Sequence, residues 1–532
     1  MSAGPPGDPS GDGAGRVLGP GDRRAAVGTV AAVAVAVALG VALRAYSPSA
    51  LWLDEAISVD ISGLPLREVP EALRRDGAPP LYPLLLWGWE RLVGDSATQV
   101  RWLSSLFGVA ALPAAAVAGA RLAGRPGAVA ALLLLATSPF GVYYSTEARM
   151  YSLVVLLVLC GLLALDGYLR RPRAARGVLV ALVSSALALT HYWSLFLLAV
   201  VGGGLLVSAW RTRGWTPARA AGWVAAGGVL FLPWLPSFLY QFRHTGTPWG
   251  SPTGFSAVLP TVVVWAGGGG RTAALVLAAV LLLLAGLGAA AVSASGSRIE
   301  LDLRGRPPGR ALAVVVGATL VLALAVGRFT GAAFEARYTS VVLPLFLLLA
   351  AVGVARLPRA FGTPVLAVAA VAGLASAIPD VLVEQKTQAA VVADALRAQA
   401  LPGDVVVYCP DQLGPATSRL LPGSLRQEVY PTGGSPERVD WADYAARNSG
   451  ADPAAYARDL SARAGGSAIW LVFHTGYRTY EGQCEALAGT LTALRGDPLP
   501  LVEPDPVYFE SAHLVGWAPL RLSQTEGDGS YQ

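Results

Sequence analysis

The chain has 532 residues, of which 54% are hydrophobic and only 14% charged, and its mean hydropathy is +0.51; a soluble globular protein carries far more charge and less apolar sequence. The net charge of +5 sits largely in short loops beside apolar stretches, as membrane topology requires, so it gives no support to a nucleic-acid partner. Three cysteines cannot make a disulfide framework: Cys160 lies inside an apolar stretch as a small core residue, whereas Cys409 and Cys484 are free to pair or to stay apart.

In chain order, residues 1–24 are rich in Gly and Pro and are expected to be a disordered cytoplasmic segment. They are unlike a signal peptide, because the apolar segment that follows is long enough to span and has no clear cleavage site. Apolar stretches then predict spans at 25–43, 100–120, 126–144, 150–169, 177–190, 193–210, 219–240, 272–294, 310–327, 339–355 and 362–379. That is about eleven, most close to the ~20 residues a helix needs to cross the hydrocarbon layer. Basic residues are arginines except for Lys386, the sole lysine. Arginine-rich loops (Arg23 and Arg24, Arg121 and Arg125, Arg170 to Arg176, Arg211 to Arg219, Arg298 to Arg310, Arg356 and Arg359) alternate with the others without a break. The positive-inside rule therefore puts the N-terminus in the cytoplasm and the C-terminus outside the cell membrane.

Two segments on the outer side are too large to be connectors. The first, about 44–99, contains LREVPEALRRDG and PPLYPLLLWGWERLVG, which mix apolar and charged residues at helical spacing and predict interfacial helices, with Trp87 and Trp89 as membrane-surface anchors; Trp249 is read in the same way. The second is the tail, where DVVVYC and SAIWLVF predict buried strands and TQAAVVADALRAQA and EGQCEALAGTLTALRG predict helices. The expected architecture is an α-helical polytopic membrane domain over 25–380 followed by an extracytoplasmic α/β domain over 381–532.

The spans are almost free of charge, which disfavours a transporter with ionisable groups at the midplane. Charge instead gathers at the outer ends of several spans: Asp54 and Glu55 in LWLDEAISV, Glu147 and Arg149 in YYSTEARMYSL, His191 and Tyr192 in LTHYWSLF, and Glu335, Arg337 and Tyr338 in FEARYTSVVLP. Arginines and carboxylates together at the lipid boundary suit a substrate with a phosphate head on a hydrocarbon tail: Arg holds the phosphate by paired hydrogen bonds, and a carboxylate takes the proton of an acceptor hydroxyl. Each group also has a plainer reading: helix-start acids, an interfacial ion pair for Glu147 and Arg149, a snorkelling Arg337 and a belt residue for Tyr338. Cys409, Cys484, His474 and His513 form no CxxC or HxxxH spacing, so neither metal nor cofactor is expected.

These motifs, in this order, resemble the GT-C type membrane glycosyltransferases, in particular the branch with the protein O-mannosyltransferases and the bacterial aminoarabinose transferases. The resemblance rests on the Asp54-Glu55 pair, PPLYPLLLWGWERLVG, RWLSSLFGVAALP, SPFGVYYSTEARMYSL and ARYTSVVLP, and covers about residues 25–380. It implies a GT-C fold and inverting transfer of a sugar from a polyprenyl-phosphate donor to an outer-face hydroxyl of a protein, lipid or glycan. It also implies that an acid of the first outer loop is the base, a role that falls on Asp54 with Glu55 as alternative. Glu147, Arg149, His191, Tyr192, Arg337 and Tyr338 would then contact substrate. Many relatives have His immediately before PPLY where this chain has Ala78, so that contact is missing or made elsewhere. The tail resembles no recognised family. A lipid-carrier flippase or transporter, and a scaffold without chemistry, remain the alternative readings.

Overall fold

The computed structural model describes residues 20–248, 250, 254–295, 298–302 and 308–519. The expectation for residues 1–19, the anchoring role of Trp249 and the loop arginines Arg304 and Arg306 lie outside them. The first helix, α1 (Pro20–Arg44), starts ahead of the boundary expected at residue 24. The first loop folds into three short helices, α2 (Leu53–Ser62), α3 (Val69–Asp76) and α4 (Leu81–Val93). Then come α5 (Ala97–Ala136), the one-turn α6 (Pro139–Tyr143), α7 (Tyr151–Arg170), α8 (Ala174–Thr190) and α9 (Trp193–Thr212). Helices α10 (Trp215–Ala226) and α11 (Leu235–His244) are joined by a 3-10 stretch. After α12 (Val258–Trp265) and α13 (Thr272–Ala290), a hairpin of β1 (Ala291–Ser295) and β2 (Arg298–Leu301) leads into α14 (Pro308–Thr330), α15 (Leu343–Arg356) and α16 (Arg359–Leu382).

Among the described residues, eight helical stretches are long and apolar enough to cross a membrane, and α8 and α15 are shorter apolar helices. Ser96 opens α5 with a reciprocal cap: the Gln99 backbone N–H donates to its Oγ at 3.4 Å, and its own N–H donates to Gln99 Oε1 at 3.3 Å. The helix breaks at Ala123 and Gly124, where Gly124 takes φ +64° two residues before Pro126. Its two halves match the spans expected at 100–120 and 126–144, but the second stops at Ala136 rather than 144. The cause is local: Pro139 disfavours helical backbone at Ser138, whose side chain instead caps α6.

The two interfacial helices expected in the first loop are α3 and α4, and a third, α2, has Asp54 and Glu55 in its first turn. Trp87 and Trp89 are not free surface anchors. Each indole N–H donates to a backbone carbonyl, Leu64 at 3.1 Å and Gln99 at 2.8 Å, which ties α4 down against its neighbours. In the bundle, α15 is buried from Leu343 to Val354, which makes it the central helix. It meets α13 so closely that a Cβ on Gly353 would lie 2.0 Å from the Leu284 carbonyl oxygen; small residues permit this backbone approach.

The tail is a small α/β unit with every expected element in place. It runs α17 (Ala389–Gln399), β3 (Val405–Cys409), α18 (Gly414–Ser418), β4 (Arg426–Val429), α19 (Tyr444–Ser449), α20 (Pro453–Ala464), β5 (Ile469–Phe473), α21 (Gln483–Arg495), β6 (Leu499–Val502) and β7 (His513–Trp517). The sheet order is β4-β3-β5-β7-β6, with β3 parallel to β4 and β5 and with β7 antiparallel to both its neighbours. β3 and the first four residues of β5 are fully buried, as near-continuous apolar runs require. Cys409 and Cys484 form a disulfide between β3 and α21.

Candidate active site

The first-loop helices, the α6–α7 connection, the α8–α9 corner, the segment after α14 and the tail unit meet at one end of the bundle. There they enclose a cavity of about 520 Å³. Asp54, second residue of α2, is part of its lining. Its Oδ2 lies 3.3 Å from Arg337 Nη1 and 3.7 Å from Arg149 Nη2. Arg149 is held in turn by the Asp54 backbone carbonyl, 3.2 Å, and by Ser58 Oγ, 2.9 Å. The three side chains retain between 15 and 19% exposure, so a ligand in the cavity can reach them. Two guanidinium groups thus face the Asp54 carboxylate, with the carboxyl of Asp76 on the same cavity. The lining of the cavity also includes the apolar side chains of Phe196, Val326 and Phe334.

Glu55 is placed differently from the role expected of it. Its carboxylate is fully buried and paired twice with Arg101, Nε to Oε1 at 2.8 Å and Nη2 to Oε2 at 2.6 Å. The Ala148 N–H adds a third bond at 2.8 Å. Burial opposes its charge, but the charge and hydrogen bonds of Arg101 outweigh it, so the carboxyl is held below the usual range. Arg101 also holds the carbonyls of Ser49, 2.7 Å, and Ala50, 3.0 Å. Glu55 thus staples the first loop to α5 and to the α6–α7 connection, one residue from Asp54, with no face on the cavity.

Glu147 is also off the cavity. It is buried 3.3 Å from Lys386 Nζ, the sole lysine of the chain, whose ammonium stands 4.5 Å over the Tyr143 ring. Burial raises the Glu147 carboxyl and lowers the Lys386 ammonium, each opposed by the partner's charge.

His191, Tyr192 and Tyr338 do line the cavity. His191 packs beside Tyr338 and Tyr151 with centroid separations of 5.3 and 6.0 Å, and its Nδ1 accepts from the Trp193 N–H at 3.2 Å. Burial, reinforced by Arg149 and Arg337, pushes its pKa down to about 3, so it stays neutral at physiological pH. Tyr192 donates to Gln241 Oε1 and accepts from Trp234 Nε1. Gln241 Nε2 donates to the carbonyls of Leu73, 2.8 Å, and Ala78, 3.3 Å, which ties α11 to the end of α3 and to the segment before α4.

The tail reaches the site directly. Trp52, at the N-cap of α2, offers no side-chain cap; the Leu53 N–H instead donates to Glu510 Oε1 at 3.2 Å, satisfying one of the helix's open donors. Phe509 packs edge-on against Trp52 at 5.7 Å. Residue 510 is itself pinned to the strand leaving α16: its N–H donates to the Lys386 carbonyl at 3.0 Å, and its carbonyl accepts from the Gln388 N–H at 2.8 Å. Burial pushes the Glu510 carboxyl up to about 7, with its bond to Thr387 pulling it back. A carboxyl raised on folding stabilises the fold least where it ionises, so stability conferred below pH ~4.5 is lost as pH rises toward 7. Glu510→Gln is expected to shrink the fall in apparent melting temperature between pH 5 and pH 8, measured in detergent; an unchanged difference would show that Glu510 does not titrate in this window.

The membrane domain has the fold that the resemblance to GT-C type proteins implies. Residues 77–237 match the sequence family described as dolichyl-phosphate-mannose-protein mannosyltransferase. Among solved structures, the chain is similar to ArnT from Cupriavidus metallidurans in the apo state, with 18% identity and a TM-score of 0.60 over 92% of this chain and 98% of that one. It is similar also to the same protein bound to undecaprenyl phosphate, with 17% identity and a TM-score of 0.57 over the same shares. No curated protein matches the chain.

Proposed function

We propose that this protein transfers a single sugar from a polyprenyl-phosphate donor to an acceptor hydroxyl on the extracytoplasmic side of the cell membrane. The observation that carries this reading is Asp54 held between Arg149 and Arg337 on a cavity whose lining also includes the apolar Phe196, Val326 and Phe334. In the proposed step, Asp54 takes the proton of the acceptor hydroxyl as its oxygen bonds to the anomeric carbon from the face opposite the phosphate. The bond from that carbon to the phosphate oxygen breaks, and the electron pair leaves with the polyprenyl phosphate. The geometry of such a displacement inverts the anomeric centre. Arg149 and Arg337 supply fixed positive charge where the leaving phosphate gains negative charge, and the rings of Tyr338 and neutral His191 pack together on the same cavity. The undecaprenyl phosphate bound by the structural relative supports a lipid-phosphate donor, and the matching family's description makes the mannosyl donor the first to test. The arginine distribution along the sequence supports the orientation.

The test is release of polyprenyl phosphate from labelled mannosyl and aminoarabinosyl polyprenyl phosphates in proteoliposomes, with cell-envelope extract as acceptor. Release that requires Asp54 is the expected result. Passage of the lipid across sealed vesicles without release would replace this reading by a flippase.

A further inference from the structure

Asp76 is a carboxyl that the step above does not use. It is the last residue of α3, where the open carbonyls of a helix end disfavour negative charge, and Gly77 beyond it turns the chain with φ +90°. Among the described residues its side chain has no hydrogen bond or ion pair, yet it is half-buried. Burial pushes it up to about 6, with Arg149 pulling it back and Asp54 pushing it further. It lines the main cavity together with Asp54 and Arg149.

Asp76 also lines a second cavity of about 160 Å³, between α3 and the tail segment 435–440. Arg75, Ser435, Arg438 and Asp440 share its lining with Ile61, Ala72 and Val439. Its wall is fixed by an ion pair between Arg75 and Asp440 at 3.0 Å and by the Trp441 N–H donating to the Arg75 carbonyl at 3.2 Å. Trp441, the next residue, lines the main cavity instead. The tail segment is therefore a partition with one face on each cavity, and Asp76 borders both.

We propose that the second cavity is the acceptor's entrance and that Asp76 binds the acceptor, a water-borne polysaccharide, through its hydroxyl groups. This rests on the transferase reading and names the acceptor class for it. A lipid-tailed substrate needs apolar surface, for which the main cavity has Phe196, Val326 and Phe334 in its lining, whereas Arg75, Asp76, Ser435, Arg438 and Asp440 make up most of the lining of the second cavity. Dense hydroxyls, in contrast, satisfy an unpaired carboxyl and a lining of guanidinium, carboxylate and hydroxyl groups without moving charge out of water. The approach also separates the two substrates, so that the acceptor oxygen and the phosphate reach the sugar from different sides.

The experiment uses the full chain in proteoliposomes with labelled mannosyl polyprenyl phosphate, or whichever donor supports Asp54-dependent release, and two acceptor arms: water-soluble cell-wall polysaccharide and extracted membrane lipid. Label is expected in the polysaccharide. Asp76→Asn, nearly isosteric, and Ser435→Trp, which fills the mouth of the entrance from the solvent side, should each raise the polysaccharide KM about tenfold, the loss expected for a hydrogen bond worth ~1.4 kcal/mol. In Ser435→Trp, donor KM and acceptor-free release of polyprenyl phosphate should stay as in wild type. Label confined to the lipid arm, or an unchanged polysaccharide KM in both variants alongside Asp54-dependent release, overturns the acceptor assignment and leaves the transferase reading standing. Absence of Asp54-dependent release with every donor overturns both.

Discussion

Asp54→Asn is expected to lower turnover by about 10²–10⁴, the usual contribution of a positioned general base, or ~3–5 kcal/mol of barrier. Donor binding should survive and even tighten. In the resting protein the Asp54 carboxylate neutralises Arg149 and Arg337 at 3.7 and 3.3 Å, and a donor phosphate must compete with it for the same guanidinium groups. Asn keeps the shape and a hydrogen-bond acceptor but removes the competing charge. Single-turnover release with saturating donor, together with a donor Kd, separates the two effects. If binding fell and the rate from bound donor did not, Asp54 would be an organiser of the arginines rather than the base.

Arg101→Leu is expected to be the most damaging change outside the cavity. It would leave the Glu55 carboxylate sealed from water with the Ala148 N–H as its one remaining donor among the described residues, and breaking a buried pair in this way costs roughly 3–5 kcal/mol. The Ser49 and Ala50 carbonyls would lose their partner as well. The apparent melting temperature in detergent should drop and turnover should fall with it, because Asp54 is adjacent to the lost anchor. The double change Glu55→Leu with Arg101→Leu removes both charges and should recover part of the stability. A double variant no more stable than the single one would mean that the carbonyl contacts, not the ion pair, carry the anchor.

The membrane helices were legible because hydropathy and arginine placement act locally, residue by residue along each span. The tail's buried strands and amphipathic helices were legible for a similar reason, their periods being written into short windows. Asp54, Arg149 and Arg337 stand out in the sequence because each lies at a span end beside an otherwise uncharged run. The partners were not found in this way. Glu55 looks like the equal of Asp54 in sequence, and only the fold reveals that Arg101, a charge at the head of an apolar span, turns toward it. Glu147 was coupled to Arg149 by proximity along the chain, whereas its contact is Lys386, more than two hundred residues on. Asp76 was hidden in a charged helix where one more acid carries no signal. Glu510 lies in a tail whose docking no local pattern encodes. The sole lysine was the one overlooked clue: a residue type used once in an arginine-rich chain marks a place where arginine does not serve.

That lysine has a practical consequence. Its ammonium is sealed at the joint between the bundle and the tail, so reagents that acylate lysine side chains should leave the folded protein untouched at this residue and react there only when the joint opens. Mass spectrometry of the peptide around residue 386, after graded heating in the presence of such a reagent, would report separation of the two parts at a single position, with no label to introduce and no second lysine to confuse the reading.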